Sequence, residues 1–164
     1  MASSQSALRA GSVPEIYDAE TYAPGKGIAH LLGRLRGEML GALDRELAAD
    51  AAACQCELTA AQLIIIAWLA TGAKSASDLC KGISYDAGAM TRMVDRLEKK
   101  GLIRRERCPD DRRLVYLELT PEGQAVYPRI REISRRVVNR FMRGFSKSEA
   151  RELEGLLRRM LENA

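Results

Sequence analysis

Residues 79 to 120 read LCKGISYDAGAMTRMVDRLEKKGLIRRERCPDDRRLVYLELT, and their spacing predicts a short helix, a tight turn, a second helix and a β-hairpin. The second helix starts at Asp86, whose carboxylate can accept hydrogen bonds from the free N–H groups of the first turn. It stops at Gly101, behind Lys99 and Lys100, which suit the negative end of a helix dipole. Met90, Val94 and Leu97 recur at threes and fours on one face, while Gly88, Thr91, Arg92, Asp95 and Arg96 share the other. One face is built to pack and the other is left to read.

On the return strand of the hairpin, Val115, Leu117 and Leu119 alternate with Leu114, Tyr116 and Glu118, and Cys108-Pro109-Asp110-Asp111 supplies the turn. Arg104, Arg105, Arg107, Arg112 and Arg113 crowd onto this short ribbon. Arginine is rarely core, so the group is either a solvated charged surface or a set of contacts to phosphates and a minor groove. Two helices followed by a basic hairpin is the plan of a winged helix-turn-helix, and the expected fold class is mainly α (α+β).

Three parts of this run resemble the MarR family of bacterial transcriptional regulators: Leu79 to Leu97, LEKKGLIRR from Leu97 to Arg105, and DRRLVYLELTPEG from Asp111 to Gly123. The last is the most specific, because a wing-tip Asp followed two residues later by Arg, and then a Leu-Thr pair opening the next helix, is matched by Asp111, Arg113, Leu119 and Thr120. The likeness extends more loosely over residues 28 to 161. It departs from the usual pattern at Ser84, where a glycine is common, and at Tyr85, where a small aliphatic is commoner. The resemblance implies a two-fold dimer built by the terminal helices. It also implies a small-molecule pocket between the reading module and those helices, often taking aromatic carboxylates.

Around this module the chain reads as helices. Residues 1 to 25 mix Ser, Ala, Gly and Pro without periodicity and are expected to be a flexible arm. From Ile28 a stripe of Leu31, Leu32, Leu35, Met39, Leu43 and Leu47 predicts a helix, and AADAAA beyond it either extends or frays the end. Thr59 with Gln62 makes a capping box, and Leu58 is set to touch Leu63 as a hydrophobic staple. The run IIIAWLA that follows is apolar all round and should be the buried centre, ending at Gly72. Ser75 or Ser77 caps the next helix.

Thr120-Pro121 heads a long helix with Val126, Ile130, Ile133, Val137, Phe141 and Phe145 on its stripe. Ser146 to Glu149 is a second capping box, launching a last helix that carries Leu153, Leu156, Leu157, Met160 and Leu161. The expected organisation is therefore an arm (1–25) and one domain (26–164), in which 26–50 and 121–164 are dimerisation helices and 58–120 is the winged helix-turn-helix.

The chain has 164 residues and a formal net charge of +4, a size for one domain and a charge suited to a polyanionic partner. Between Asp86 and Arg113 nine Lys and Arg face six Asp and Glu, so most of the excess lies on the candidate reading surface. No apolar run is long enough for a membrane span and the first residues lack a signal-peptide core, so a cytoplasmic protein is expected. Cys54, Cys56, Cys80 and Cys108 do not fall at zinc spacings. With one histidine, no phosphate loop and no nucleophile elbow, neither catalysis nor a cofactor is expected.

If the second helix lies in a major groove, Ala87, Gly88, Thr91 and Arg92 are the candidates for base readout, since its N-terminal half meets the base edges. Arg92 leads, because a guanidinium can donate twice to guanine, and the resemblance points to the same position. Gly88 and Ala89 are small enough for the backbone to approach, Arg96 suits phosphate, and Ser75 at the head of the first helix joins the DNA-facing set. At the wing Asp111 can orient Arg113, to which the resemblance assigns the minor groove, and Arg112 suits phosphate. His30, Arg34 and Trp68 are weak candidates for the effector pocket the resemblance implies.

These readings converge on a dimeric, ligand-responsive repressor of double-stranded DNA with a pseudo-palindromic operator. Two alternatives are carried: a winged-helix module that binds protein, and a thiol-based redox or metal sensor using Cys54 and Cys56.

Overall fold

A computed structural model describes residues 15–50, 53, 56–83, 85–107 and 115–164. Its elements in chain order are α1 (Ile28–Ala49), α2 (Ala60–Leu69), β1 (Lys74–Ser75), α3 (Ala76–Ile83), α4 (Ala87–Lys99), β2 (Ile103–Arg107), β3 (Val115–Leu119), α5 (Pro121–Phe141) and α6 (Lys147–Glu162). The winged helix-turn-helix is thus present: α3 and α4 are the helix pair, and β2 and β3 form the ribbon. The sheet is antiparallel in the order β1-β3-β2. Lys74 pairs with Leu117, and Ile103 with Leu119. The strand β1 has no hydrophobic alternation to announce it; it exists because the exit of α2 is laid along the free edge of β3.

Compactness divides the chain into residues 1–35 and 36–164, with the division inside α1. In the first unit the Asp18 carboxylate accepts from the Thr21 backbone N–H and hydroxyl, both at 2.7 Å. Tyr17 and Tyr22 meet edge to face with ring centres 5.7 Å apart. Within the expected arm, residues 18–22 thus form a hydrogen-bonded turn. Ile28, Leu31 and Leu35, on the predicted stripe of α1, are exposed.

In the second unit one core collects Leu43 and Leu47 of α1, Ile65 and Ile66 of α2, Leu79 of α3, Met90, Val94 and Leu97 of α4, Leu117 and Leu119 of β3, and Ile130, Ile133 and Val137 of α5. Caps set where the helices begin. The box of Thr59 and Gln62 forms as the sequence predicts, and the Asp44 carboxylate of α1 adds a bond from the Ala60 N–H at 2.6 Å. Ser75, not Ser77, caps α3. Asp86, Thr120 and Ser146 cap α4, α5 and α6. Glu46 of α1 pairs with Arg136 and Arg140 of α5, and buried Asp50 pairs with Arg129. Arg136 and Arg140 bind α5 to α1, and Arg129 binds it to the residue just past the end of α1.

The exit of α4 and the head of α5 are joined through backbone. Gly101 turns the chain at φ 70°. The Thr120 N–H donates to the Leu102 carbonyl at 3.1 Å, and its hydroxyl donates to the Gly101 carbonyl at 2.6 Å while accepting from the Gly123 N–H at 3.1 Å. This seam leaves no room at Gly123, where a methyl group would lie 2.1 Å from the Leu102 oxygen.

Gly123→Ala should therefore cost about 1–3 kcal/mol by overpacking, lowering the melting temperature by roughly 2–12 °C for a chain of this length. Gly155→Ala, where no atom lies within 4 Å of the added carbon, is the matched control. Equal melting temperatures for the two variants would refute the tight seam.

Candidate nucleic-acid interface

The outer face of α4 is exposed at Ala87, Gly88, Thr91, Arg92 and Arg96, whereas Ala89 is half-buried. Its start is set by Asp86, which accepts from the Ala89 N–H at 2.8 Å. Arg92 folds back along the helix: a carbon built on Gly88 would stand 3.6 Å from an Arg92 Nη and 3.2 Å from the Asp86 carboxylate. The guanidinium therefore lies alongside Gly88, one turn nearer the helix N-terminus, at a distance that even a methyl group there would meet only as ordinary van der Waals contact. Thr91 donates its hydroxyl to the Ala87 carbonyl at 2.8 Å, which ties the exposed side chain to the preceding turn of the helix. Ser75 is half-buried at the head of α3, its hydroxyl donating to Asp78 at 2.7 Å.

The ribbon arginines divide into two kinds. Arg104 donates to Glu118 across the sheet at 2.6 Å and has Glu106 beside it at 3.3 Å. Arg105 bridges to Asp95 at 2.6 Å and to Glu98, both on α4. These two are held by acids of the same module and brace the wing, so the ribbon is not a uniform row of free cations. Among the described residues, Arg92, Arg96 and Arg107 have no ion-pair partner. The predicted wing residues Asp111, Arg112 and Arg113 lie outside the described residues, as does the turn from Cys108.

The helix pair is steadied from behind. Lys100, the C-cap of α4, donates its ammonium to the Cys56 carbonyl at 2.7 Å and to the Glu57 carbonyl. Glu57 itself takes a φ of 46°, uncommon for a residue with a side chain. Local sequence signals nothing here, because the partners are more than forty residues apart. The pairing of Arg105 left a faint signal: Asp95 and Glu98, three apart on one helix, form an acidic notch that a ribbon arginine can fill.

Of the effector candidates, His30 and Arg34 stand exposed on α1 in the first unit. Trp68 is in the second unit, 37% exposed. Its ring lies over Gly82 of α3, where an added carbon would fall 2.1 Å from it. Cys54 and Cys108 lie outside the described residues, and Cys56 and Cys80 are free, half-buried thiols. Among the described residues no group of His, Cys, Asp and Glu could hold a metal, and no helix is long and apolar enough to cross a membrane.

Residues 58–115 match the MarR family. The chain is 34% identical over 89 residues to the uncharacterized HTH-type transcriptional regulator YdgJ of Bacillus subtilis, covering 54% of each. It spans about half the length of the curated relatives it matches. Among solved structures it resembles Bordetella bronchiseptica BpsR, described with regulation of its DNA binding by 6-hydroxynicotinic acid. That match has a TM-score of 0.71 at 26% identity, over 85% of this chain and 96% of that one. It also resembles a mutant MarR from E. coli complexed with operator DNA, with a TM-score of 0.68 at 26% identity, over 82% and 93% of the two chains.

Asp78, which locks the cap of α3, is held below the ordinary carboxylate range, first by the Ser75 hydroxyl, then by the Ser75 N–H, with Lys81 and Lys74 contributing less. A depressed folded-state pKa adds stability above the unfolded value, and that contribution disappears as pH falls through the folded one. Asp78→Asn should therefore melt below wild type at neutral pH, with the gap closing as pH falls below about 4. A gap of equal size in acid would assign the effect to shape and not to charge.

Proposed function

We propose, from the match of residues 58–115 to the MarR family, that the chain is a dimeric DNA-binding transcriptional regulator, a cytoplasmic repressor released from its operator by a small ligand. The observation that carries the DNA-binding part is the sorting of charge on one face. Arg92 and Arg96 stand exposed on α4 without an ion-pair partner among the described residues, while Arg104 and Arg105 are spent on bracing the ribbon. A helix laid in a major groove reads with such side chains. Arg92 is the base reader, with Ala87, Gly88 and Thr91 close to the bases; Arg96 and Ser75 meet phosphate. At the wing, Asp111 orients Arg113 toward a narrow minor groove and Arg112 meets phosphate.

A second copy is proposed because α6 has no buried residue, although it carries a leucine stripe with Leu156 47% and Leu161 74% exposed. A helix of that length is marginal without packing. Sedimentation at micromolar concentration should give a dimer, and the operator should be an inverted repeat with half-site centres roughly 10 base pairs apart. A stable monomer with a single-half-site footprint would sink the dimer.

The proposed effector class is an aromatic carboxylate; His30 and Arg34 in the first unit, and separately Trp68 in the second, are the candidate contacts. BpsR, whose DNA binding is described as regulated by 6-hydroxynicotinic acid, supports the class.

Selection from a library of randomised duplexes tests the reading directly. Wild type should enrich one pseudo-palindrome, and Arg92→Ala should lose roughly 1–3 kcal/mol on it while keeping its weak non-specific binding. An unchanged base preference would remove Arg92 from readout. Failure of wild type to enrich any sequence would remove the regulator.

A further inference from the structure

Tyr85 immediately precedes the Asp86 cap of α4, the position whose side chain fixes the angle at which the chain enters a helix. Its ring is half-buried against the core that contains Met90. The guanidinium carbon of Arg36 sits over that ring, 5.7 Å from the centroid, within reach for a cation–π contact. Arg36 has no ion-pair partner among the described residues. It stands on α1 at spacings of four, seven and eleven before Leu40, Leu43 and Leu47, so it shares the face that packs into the core. On this face of α1 the position between half-buried Leu32 and Leu40 is held by an arginine, and its guanidinium meets the aromatic residue just before the cap of α4.

We propose that Arg36 and Tyr85 are a positioning pair for DNA reading. The guanidinium holds the ring, the ring holds the first turn of α4, and the aim of Arg92 one turn further on therefore depends on α1. This rests on the regulator reading above. It adds a specific link between the first long helix and the reading helix through two residues that touch no base.

Four proteins test it: wild type, Arg36→Met, Tyr85→Leu and the double variant, with Tyr85→Phe as the conservative control that keeps a ring face. In free protein, amide hydrogen exchange at Ala89 to Met93 should quicken about two- to five-fold in either single variant, the strength of one such contact. It should quicken no further in the double variant, as coupled neighbours behave. Tyr85→Phe should match wild type.

On the duplex that wild type selects from a randomised library, affinity should fall by the same two- to five-fold, with the slope of log affinity against log salt unchanged. Lost phosphate contact would instead reduce that slope by about one. Unchanged exchange in both single variants, additive effects in the double, or a smaller salt slope for Arg36→Met would each overturn the pair. If wild type selects no duplex while the exchange cycle is coupled, the regulator reading falls and the clamp on α4 stands.

Discussion

The end of α4 is joined to the head of α5 through one carbonyl. The Leu102 oxygen, just past the turn that ends α4, accepts from the Thr120 N–H at the head of α5, and Gly123 lets the first turn of α5 close onto the same atom. Backbone groups have no rotamers, so a joint made from them transmits position with little slack. The wing lies between these two helices in sequence, and both its ends leave from this seam: β2 starts at Ile103 and β3 stops at Leu119, which are register partners. The ribbon is thus anchored at its base by the contact that fixes the helices.

Charge on this module divides between holding and reaching. Arg105 with Asp95 and Glu98, and Arg104 with Glu118, tie the ribbon to α4 and across its own strands. Lys100 ties the far end of α4 to the chain entering α2. Exposed pairs of this kind contribute little stability individually, but they fix orientation where the core cannot, since a two-stranded ribbon has little apolar surface. The remaining cations of α4 project from a frame that is already neutralised, so the field they present is local.

Most element boundaries were legible because their causes are local. Thr59 and Gln62, Asp86, Thr120-Pro121, and Ser146 with Glu149 each satisfy backbone groups within three residues, and a reader of sequence sees both partners at once. The long-range ties were not legible. Nothing near Asp44 points to the N–H of Ala60, nothing near Lys100 points to Cys56, and β1 exists only because β3 has an edge to offer. The predicted stripe of α1 was half right for a geometric reason: Leu43 and Leu47 are buried, but Ile28, Leu31 and Leu35 are not. Over twenty-two residues a repeat of mixed threes and fours drifts around the helix. The ribbon arginines looked equivalent in sequence, and among the three in the described residues only the positions of Asp95, Glu98 and Glu118 separate the bracing Arg104 and Arg105 from Arg107.

The chain contains one tryptophan, and its ring rests on the bare backbone of Gly82 in α3, the first helix of the helix-turn-helix pair. Indole emission responds to the polarity around the ring. The natural fluorescence of this protein is therefore a single-site signal from the ground on which the helix pair stands, free of overlap from other indoles. Any molecule that tilts α3 against α2 will write its arrival into that spectrum without an added dye.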